Sequence, residues 1–238
     1  HRGRLVLLLV ALCLPAATLS AAESTPALVR TAVKPEGEIW VGQRVVYQLD
    51  VLAKDGWAQI QRLPDLQASG AIVVRMETQG VRLNDTIDGI AHAGQRYELL
   101  LFPQRGGEIA VPAAPVEIEI SQWGRQAEKK TVQASTPSLR FSARMPPGAE
   151  MLHGLISTDR LTADQKWEPD AETLPVGGAV ERRITVHADN VSSMAFPPLA
   201  FAGNDAVDVY PDSPVVEDRY QRGDLTAHRT DAVTYLFK

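Results

Sequence analysis

The sequence has a single cysteine, Cys13, and it lies in an apolar run near the N-terminus. The rest of the chain can hold no disulfide, no thiolate nucleophile and no cysteine metal site. Basic charge is also short: the net charge of −5 argues against a nucleic-acid binder, which would carry a basic face, but leaves contact with a basic protein surface open. No convincing long amphipathic helix occurs between Glu23 and Lys238. No G-x-S-x-G nucleophile turn is present. Gly106-Gly107 is not followed by the Lys-Ser/Thr of a phosphate loop, and no D-x-D-x-D-G calcium loop occurs. What remains is an ordinary soluble composition, 45% hydrophobic and 22% charged, enough for a packed core in one large or two small domains of a 238-residue chain. Sixteen prolines and seventeen glycines with only 6% aromatics lean toward many short strands and turns.

The N-terminus reads as a secretory leader. A basic stretch, His1-Arg2-Gly3-Arg4, precedes the apolar run Leu5–Leu14, which Pro15 breaks. Ser20-Ala21-Ala22 then supplies small residues for cleavage before Glu23, and the run is too short for an ordinary spanning helix. Lipidation at Cys13 is excluded because Leu12, not a small residue, precedes it. Loss of Arg2 and Arg4 with the leader takes the net charge from −5 to −7.

Beyond Glu23 the period is two. Val45, Tyr47, Leu49, Val51 and Ala53 share one face of a strand, with Gln48 and Asp50 on the other. Tyr97–Leu101 is a nearly continuous apolar strand. Val116–Ile120 alternates, Trp123-Gly124-Arg125 reads as a turn, and Lys130–Ser135 as the returning strand. In Leu101–Ile118 (LFPQRGGEIAVPAAPVEI), Phe102-Pro103 ends a strand and Gly106-Gly107 allows a tight reversal. Ile109–Val111 starts the next strand and Pro112 and Pro115 interrupt it, as at an edge. The stretch is expected to be a sandwich corner. The fold class predicted is all-β, in tandem immunoglobulin-like sandwiches.

The second half restarts the first. At an offset of 135, Val41-Gly42 falls on Val176-Gly177, and Val45, Leu49, Val51 and Ala53 fall on Val180, Ile184, Val186 and Ala188. Tyr47 falls on Arg182, which should point inward and need a partner. Leu63-Pro64-Asp65-Leu66 has a loose counterpart in Pro197-Pro198-Leu199. At an offset of 136, Ala91-His92 falls on Ala227-His228, and Leu99 and Leu101 on Tyr235 and Phe237. The expected organisation is a leader over 1–22, a first sandwich over 27–142, a linker over 143–164 and a second sandwich over 165–238. The second copy stops where the first enters its last strands, so the chain is expected to be a fragment whose second sandwich lacks closing strands and is destabilised by an unpaired edge.

These residues resemble the BatD family of bacterial oxygen-tolerance proteins. The matching features are Val41-Gly42, Leu63–Leu66, Tyr97–Pro103, Gly106/Gly107, Val111-Pro112, Leu161–Trp167, Val176–Thr185 and the Val209–Pro214 segment (VYPDSP). The resemblance implies a periplasmic protein of tandem immunoglobulin-like domains, anchored to the inner membrane by a helix beyond Lys238. It also implies a place in an envelope complex with von Willebrand A-domain proteins, encoded beside MoxR-type ATPases and tied to oxygen or envelope stress. It brings no catalytic residues.

Chemical candidates are few. His92 and His228 fall on equivalent repeat positions, and His153 and His187 are isolated. One histidine per domain without cysteine builds no metal site, so neither a metal nor another cofactor is expected. Glu217-Asp218, Asp205 and Asp208 read as solvated loop acids rather than a calcium shell. Glu181-Arg182-Arg183 reads as a charged strand face. Ser157 and Asp159 near His153 do not make a triad, and no catalytic residue or small-molecule substrate is assigned. Trp57 is aromatic without a clear role, Trp123 is expected to pack over a sandwich end, and Trp167 to anchor the linker on the second domain. The expected function is non-enzymatic: an exported scaffold that presents edges and loops to protein partners. An adhesin or carbohydrate-binding sandwich, or an exported hydrolase, is the alternative. The first would show several exposed aromatics in a groove; the second, convergent polar groups in a pocket.

Overall fold

A computed structural model describes residues 27–75, 79–124, 129–152, 154–169, 174–221 and 223–238. The expected leader with Cys13, and also Arg125 and His153, lie outside the described residues. The chain is all-β, as its period-two patterning predicts: sixteen strands, one turn of 3-10 helix at Ser193–Ala195, and no α-helix among the described residues. No described helix is long and apolar enough to cross a membrane.

The first unit is a sandwich. Strands β1 (Ala27–Lys34), β3 (Val45–Lys54), β7 (Ile90–Pro103) and β5 (Ala71–Arg75) form an antiparallel sheet in the order β1-β3-β7-β5, and β6 (Val81–Ile87) pairs with the first half of β7. Two three-stranded sheets complete it. One is β10 (Lys129–Ser135), β9 (Pro115–Gln122) and β4 (Gly56–Arg62); the other is β2 (Ile39–Trp40), β11 (Leu139–Arg144) and β8 (Gly107–Val111). The alternation in β3 works as expected: Val45, Tyr47, Leu49, Val51 and Ala53 are all 0% exposed and pack in one core with Leu99, Leu101, Ile109, Ile118 and Ile60. Each valine, leucine or isoleucine among them contributes about 1.5–3 kcal/mol by leaving water. Tyr97 ties the layers together. Its hydroxyl accepts the Ile60 N–H at 2.9 Å, at the bulge where β4 shifts register against β9.

The Leu101–Ile118 stretch is the corner expected. β7 belongs to the large sheet and β8 to a small one, so the chain changes sheets between Pro103 and Gly107. Gly107 takes φ +96°, a conformation side chains disfavour. β8 is an edge strand, and Pro112 follows its end.

The second unit repeats the large sheet. Strands β12 (Leu161–Glu168), β13 (Ala179–Asp189), β16 (Asp224–Phe237) and β14 (Val207–Pro211) lie in the order β12-β13-β16-β14, with β15 (Val215–Gln221) pairing β16. This is the order of β1, β3, β7, β5 and β6. The backbone details repeat as well. The Gly42 N–H donates to Pro103 O at 2.7 Å, and the Gly177 N–H to Phe237 O at 2.9 Å. Among the described residues this unit has one sheet.

Register corrects one alignment. Val45 pairs Leu101, and Val180 pairs Tyr235, so β7 maps on β16 at an offset of 134 rather than 136. His92 is therefore equivalent to Thr226, not His228. A strand's side chains alternate with period two, so a two-residue slip leaves every face unchanged and periodicity cannot detect it. The shared Ala-His dipeptide chose the wrong frame.

The two units pack together. Val46, Leu100 and Val74 form one row across three strands on the outer face of the first sheet, with Ile72 and Phe102 in the next. These side chains join Ala188, Val191, Phe196, Leu225 and Ala227 of the second unit in a second apolar cluster, where Phe102 is 0% exposed. The other end of that outer face is polar. Arg30, Asp50 and Arg96 stand in register on β1, β3 and β7. Asp50 accepts from Arg96 at 2.7 and 2.9 Å and from Arg30 at 3.0 Å.

Candidate functional site

The inner face of the second sheet is where the two copies differ most. In β16 it carries Leu225, Ala227, Arg229, Asp231 and Val233, all buried, then Tyr235 and Phe237. Val180, Arg182, Ile184, Val186 and Ala188 lie beside them on β13, and Leu161, Ala163, Gln165 and Trp167 on β12. One end is covered by the first unit and by Val191–Phe196, the counterpart of β4, which here makes a 3-10 turn instead of a strand. Ser192 caps that turn, its Oγ accepting the Met194 N–H at 3.2 Å. Asp218 holds the same turn, accepting from Ser192 Oγ at 2.6 Å and from the Ser193 N–H at 2.7 Å.

Past the turn the face opens into a cavity of about 340 Å³, lined by Leu155, Ile156, Leu161, Ala163, Val186 and Leu199. Arg229 and Asp231 form part of its lining. They are 8% and 4% exposed and paired through two parallel hydrogen bonds, Nε to Oδ2 and Nη2 to Oδ1, both 2.8 Å. The remaining Arg229 nitrogen donates to the carbonyls of Phe196 at 3.4 Å and Pro197 at 3.3 Å. Residues i and i+2 of a strand share a face, so R-x-D inside an apolar alternation is a legible signal for an inward ion pair. Periodicity alone does not single it out, because both residues sit on the face expected to be apolar. A pair this enclosed survives because its geometry is bidentate and its donors are satisfied.

Further along the face Trp167 stacks on Tyr235, ring centres 5.7 Å apart, and the Arg182 guanidinium lies 5.2 Å from the Trp167 ring centre. Arg182 also donates to Gln165 Oε1 at 2.8 Å. The inward arginine thus finds the partners it was expected to need. Trp167 remains 40% exposed and belongs to β12 itself, so it anchors the sheet face rather than the linker. β12 is the outer strand, pairing only β13, and all eight of its residues are exposed.

The other candidates scatter. Trp123 is 59% exposed at the β9–β10 turn and does not pack over the sandwich end, because the hairpin carries it past the last core residue. Trp57 lies under the Arg82 guanidinium, 5.1 Å from its ring centre. Glu217 pairs with Arg219 at 2.8 Å, Asp208 with Lys238 at 2.7 Å, and Glu181 with Arg183 at 2.5 Å. Asp159 bonds Asn190, and the Ser157 N–H donates to Gly42 O at 3.1 Å, so these two serve the connecting segment. His187 is not isolated: it stands opposite His228 in register, Nδ1 to Nε2 2.7 Å, so one ring donates and the other accepts. Partial burial and the neighbouring His187 and Arg219 hold the His228 pKa below its ordinary value.

No family model, curated protein or solved structure matches the chain.

Proposed function

We propose that the chain is a non-enzymatic, exported protein-interaction component of a BatD-like envelope assembly, and that the outer edge of β12 receives an extended segment of a partner protein. The observation that carries this is the outer strand β12, which pairs only β13 among the described residues and has all eight of its residues exposed. A strand laid on this edge would gain main-chain hydrogen bonds along β12 and apolar contacts from Leu161, Ala163 and Leu199. The resemblance to BatD proteins makes von Willebrand A-domain membrane proteins the partners to look for, in the periplasm beside the inner membrane.

The test is site-specific photocrosslinking in the native envelope. A photoreactive residue at Leu161 or Ala163 should capture a von Willebrand A-domain protein, whereas one at Val81, 65% exposed on the first unit, should not. Capture only at Val81, or none at any site, would overturn the reading. Saccharide-dependent changes in Trp167 fluorescence in that case would put the carbohydrate-binding alternative first.

A further inference from the structure

We propose that the His187–His228 pair is a two-imidazole binding site for a divalent transition-metal ion on the outer face of the second sheet; no three-ligand cluster is assembled among the described residues, and Glu217 would join as a ligand only on leaving Arg219. The three sit in one row across neighbouring strands: Thr162 on β12 pairs His187 on β13, His187 pairs His228 on β16, and His228 pairs Glu217 on β15. Cross-strand partners project on the same side, so both rings and the carboxylate face one patch of surface. The imidazole nitrogens are already 2.7 Å apart. Two nitrogens each about 2.0–2.1 Å from one ion lie roughly 3 Å apart at a right-angled bite. Small rotations of the two rings about χ2 therefore replace the shared proton by a metal. Nitrogen pairs with a carboxylate suit zinc, nickel and copper, while calcium and magnesium want oxygen alone.

The first copy shows that the row is not a requirement of the sheet. The same four positions there are Leu28, Leu52, Gly94 and Leu83, an apolar set. Leu52 is 0% exposed, whereas His187 and His228 are half-buried and within reach of solvent. Glu217 is held by Arg219 through two hydrogen bonds of 2.8 and 3.2 Å. It is exposed, so it can exchange Arg219 for the ion. Bound metal would tie β13, β16 and β15 together directly. The expectation that no metal binds rested on histidines being solitary, and the register removes that premise.

Isothermal titration of the metal-stripped full chain with Ni²⁺ and with Zn²⁺ tests the proposal, with Cu²⁺ electron paramagnetic resonance reporting bound imidazoles. The expected result is one ion per chain with micromolar affinity and nitrogen couplings from two imidazoles. His187→Ala and His228→Ala should each weaken binding at least tenfold, Glu217→Gln severalfold, and His92→Ala not at all. A thermal melt of each variant without metal separates lost ligation from lost folding, and the melt of the wild type should rise with metal while that of the double histidine variant does not. The proposal falls if the double variant binds as tightly as the wild type, or if His92→Ala costs as much as His228→Ala.

Discussion

The first five-stranded sheet and the second share strand order, turn positions and register, yet they bury different chemistry. Behind the first sheet lie two further sheets, and its central inward residues are Leu49, Leu99 and Leu101, with Gln95 and Tyr97 the polar exceptions. At the positions equivalent to Tyr47, Gln95 and Tyr97 the second sheet has Arg182, Arg229 and Asp231. In the first sheet the Tyr97 hydroxyl is satisfied by the Ile60 backbone and Gln95. In the second the charges are tolerated because each is paired, Arg229 with Asp231 and Arg182 with Gln165 and Trp167. The scaffold fixes where side chains point, and local partners fix which ones are tolerated. Gly42 and Gly177 give the same lesson. Both have φ near +80°, but a Cβ at Gly42 would lie 2.5 Å from Leu155 O, whereas one at Gly177 would meet nothing within 4 Å.

The comparison breaks most severely if the two units do not depend on one another. Phe102 leaves the first sheet to fill the cluster shared with Val191, Phe196 and Leu225. Phe102→Ala should cost about 3–5 kcal/mol, measured by urea unfolding. Hydrogen exchange should then show protection falling more in β13 and β16 than in β9. Loss confined to the first sandwich would mean that the second sheet is held by something else.

Next comes the buried pair. Asp231→Ala leaves Arg229 enclosed without a counter-charge and should cost about 3 kcal/mol or more. Replacing both, Arg229→Met with Asp231→Leu, should return to within about 1 kcal/mol of the wild type, since apolar groups of similar volume need no partner. Equal losses in the single and double variants would show that the pair stabilises the sheet in its own right, and that the difference between the two faces is not one of tolerance.

Much of this was legible in the sequence. Period-two alternation in Val45–Ala53 and Val116–Ile120, the corner at Gly106-Gly107 and the repeat of Val41-Gly42 at Val176-Gly177 all have the structure they predict, because each depends on local backbone chemistry. The site was less legible. The Arg229–Asp231 pair, the Asp50 ladder and the His187–His228 contact all depend on which residues meet across strands. Register, not periodicity, decides that. His187 and His228 are 41 residues apart in the chain, and only the β13–β16 register brings them together. Trp123 was misjudged for a related reason: nothing in a turn sequence says how far the hairpin reaches beyond the core.

The smallest effect expected is also the most selective. Asp50 is 5% exposed, and burial by itself would raise its pKa, but the hydrogen bonds and charges of Arg96 and Arg30 outweigh this and hold it below its ordinary 3.8. A carboxylate with a depressed folded pKa contributes stability above its unfolded value and loses it as the pH falls through the folded one. At neutral pH Asp50→Asn should therefore cost about 1–2 kcal/mol, discounted for two arginines that are each about a third exposed. The gap between variant and wild type should start to close as the pH drops below about 4. The equivalent row of the second sheet, Asp164, Thr185 and Thr230, has no arginine. Amide exchange in β1, β3 and β7 along a pH series should therefore rise only below about pH 4, and Asp50→Asn should remove that step. A variant whose deficit stays constant into acid, or an acid step in β1, β3 and β7 that persists in Asp50→Asn, would show that the Asp50 ladder is not what separates the outer faces of the two copies.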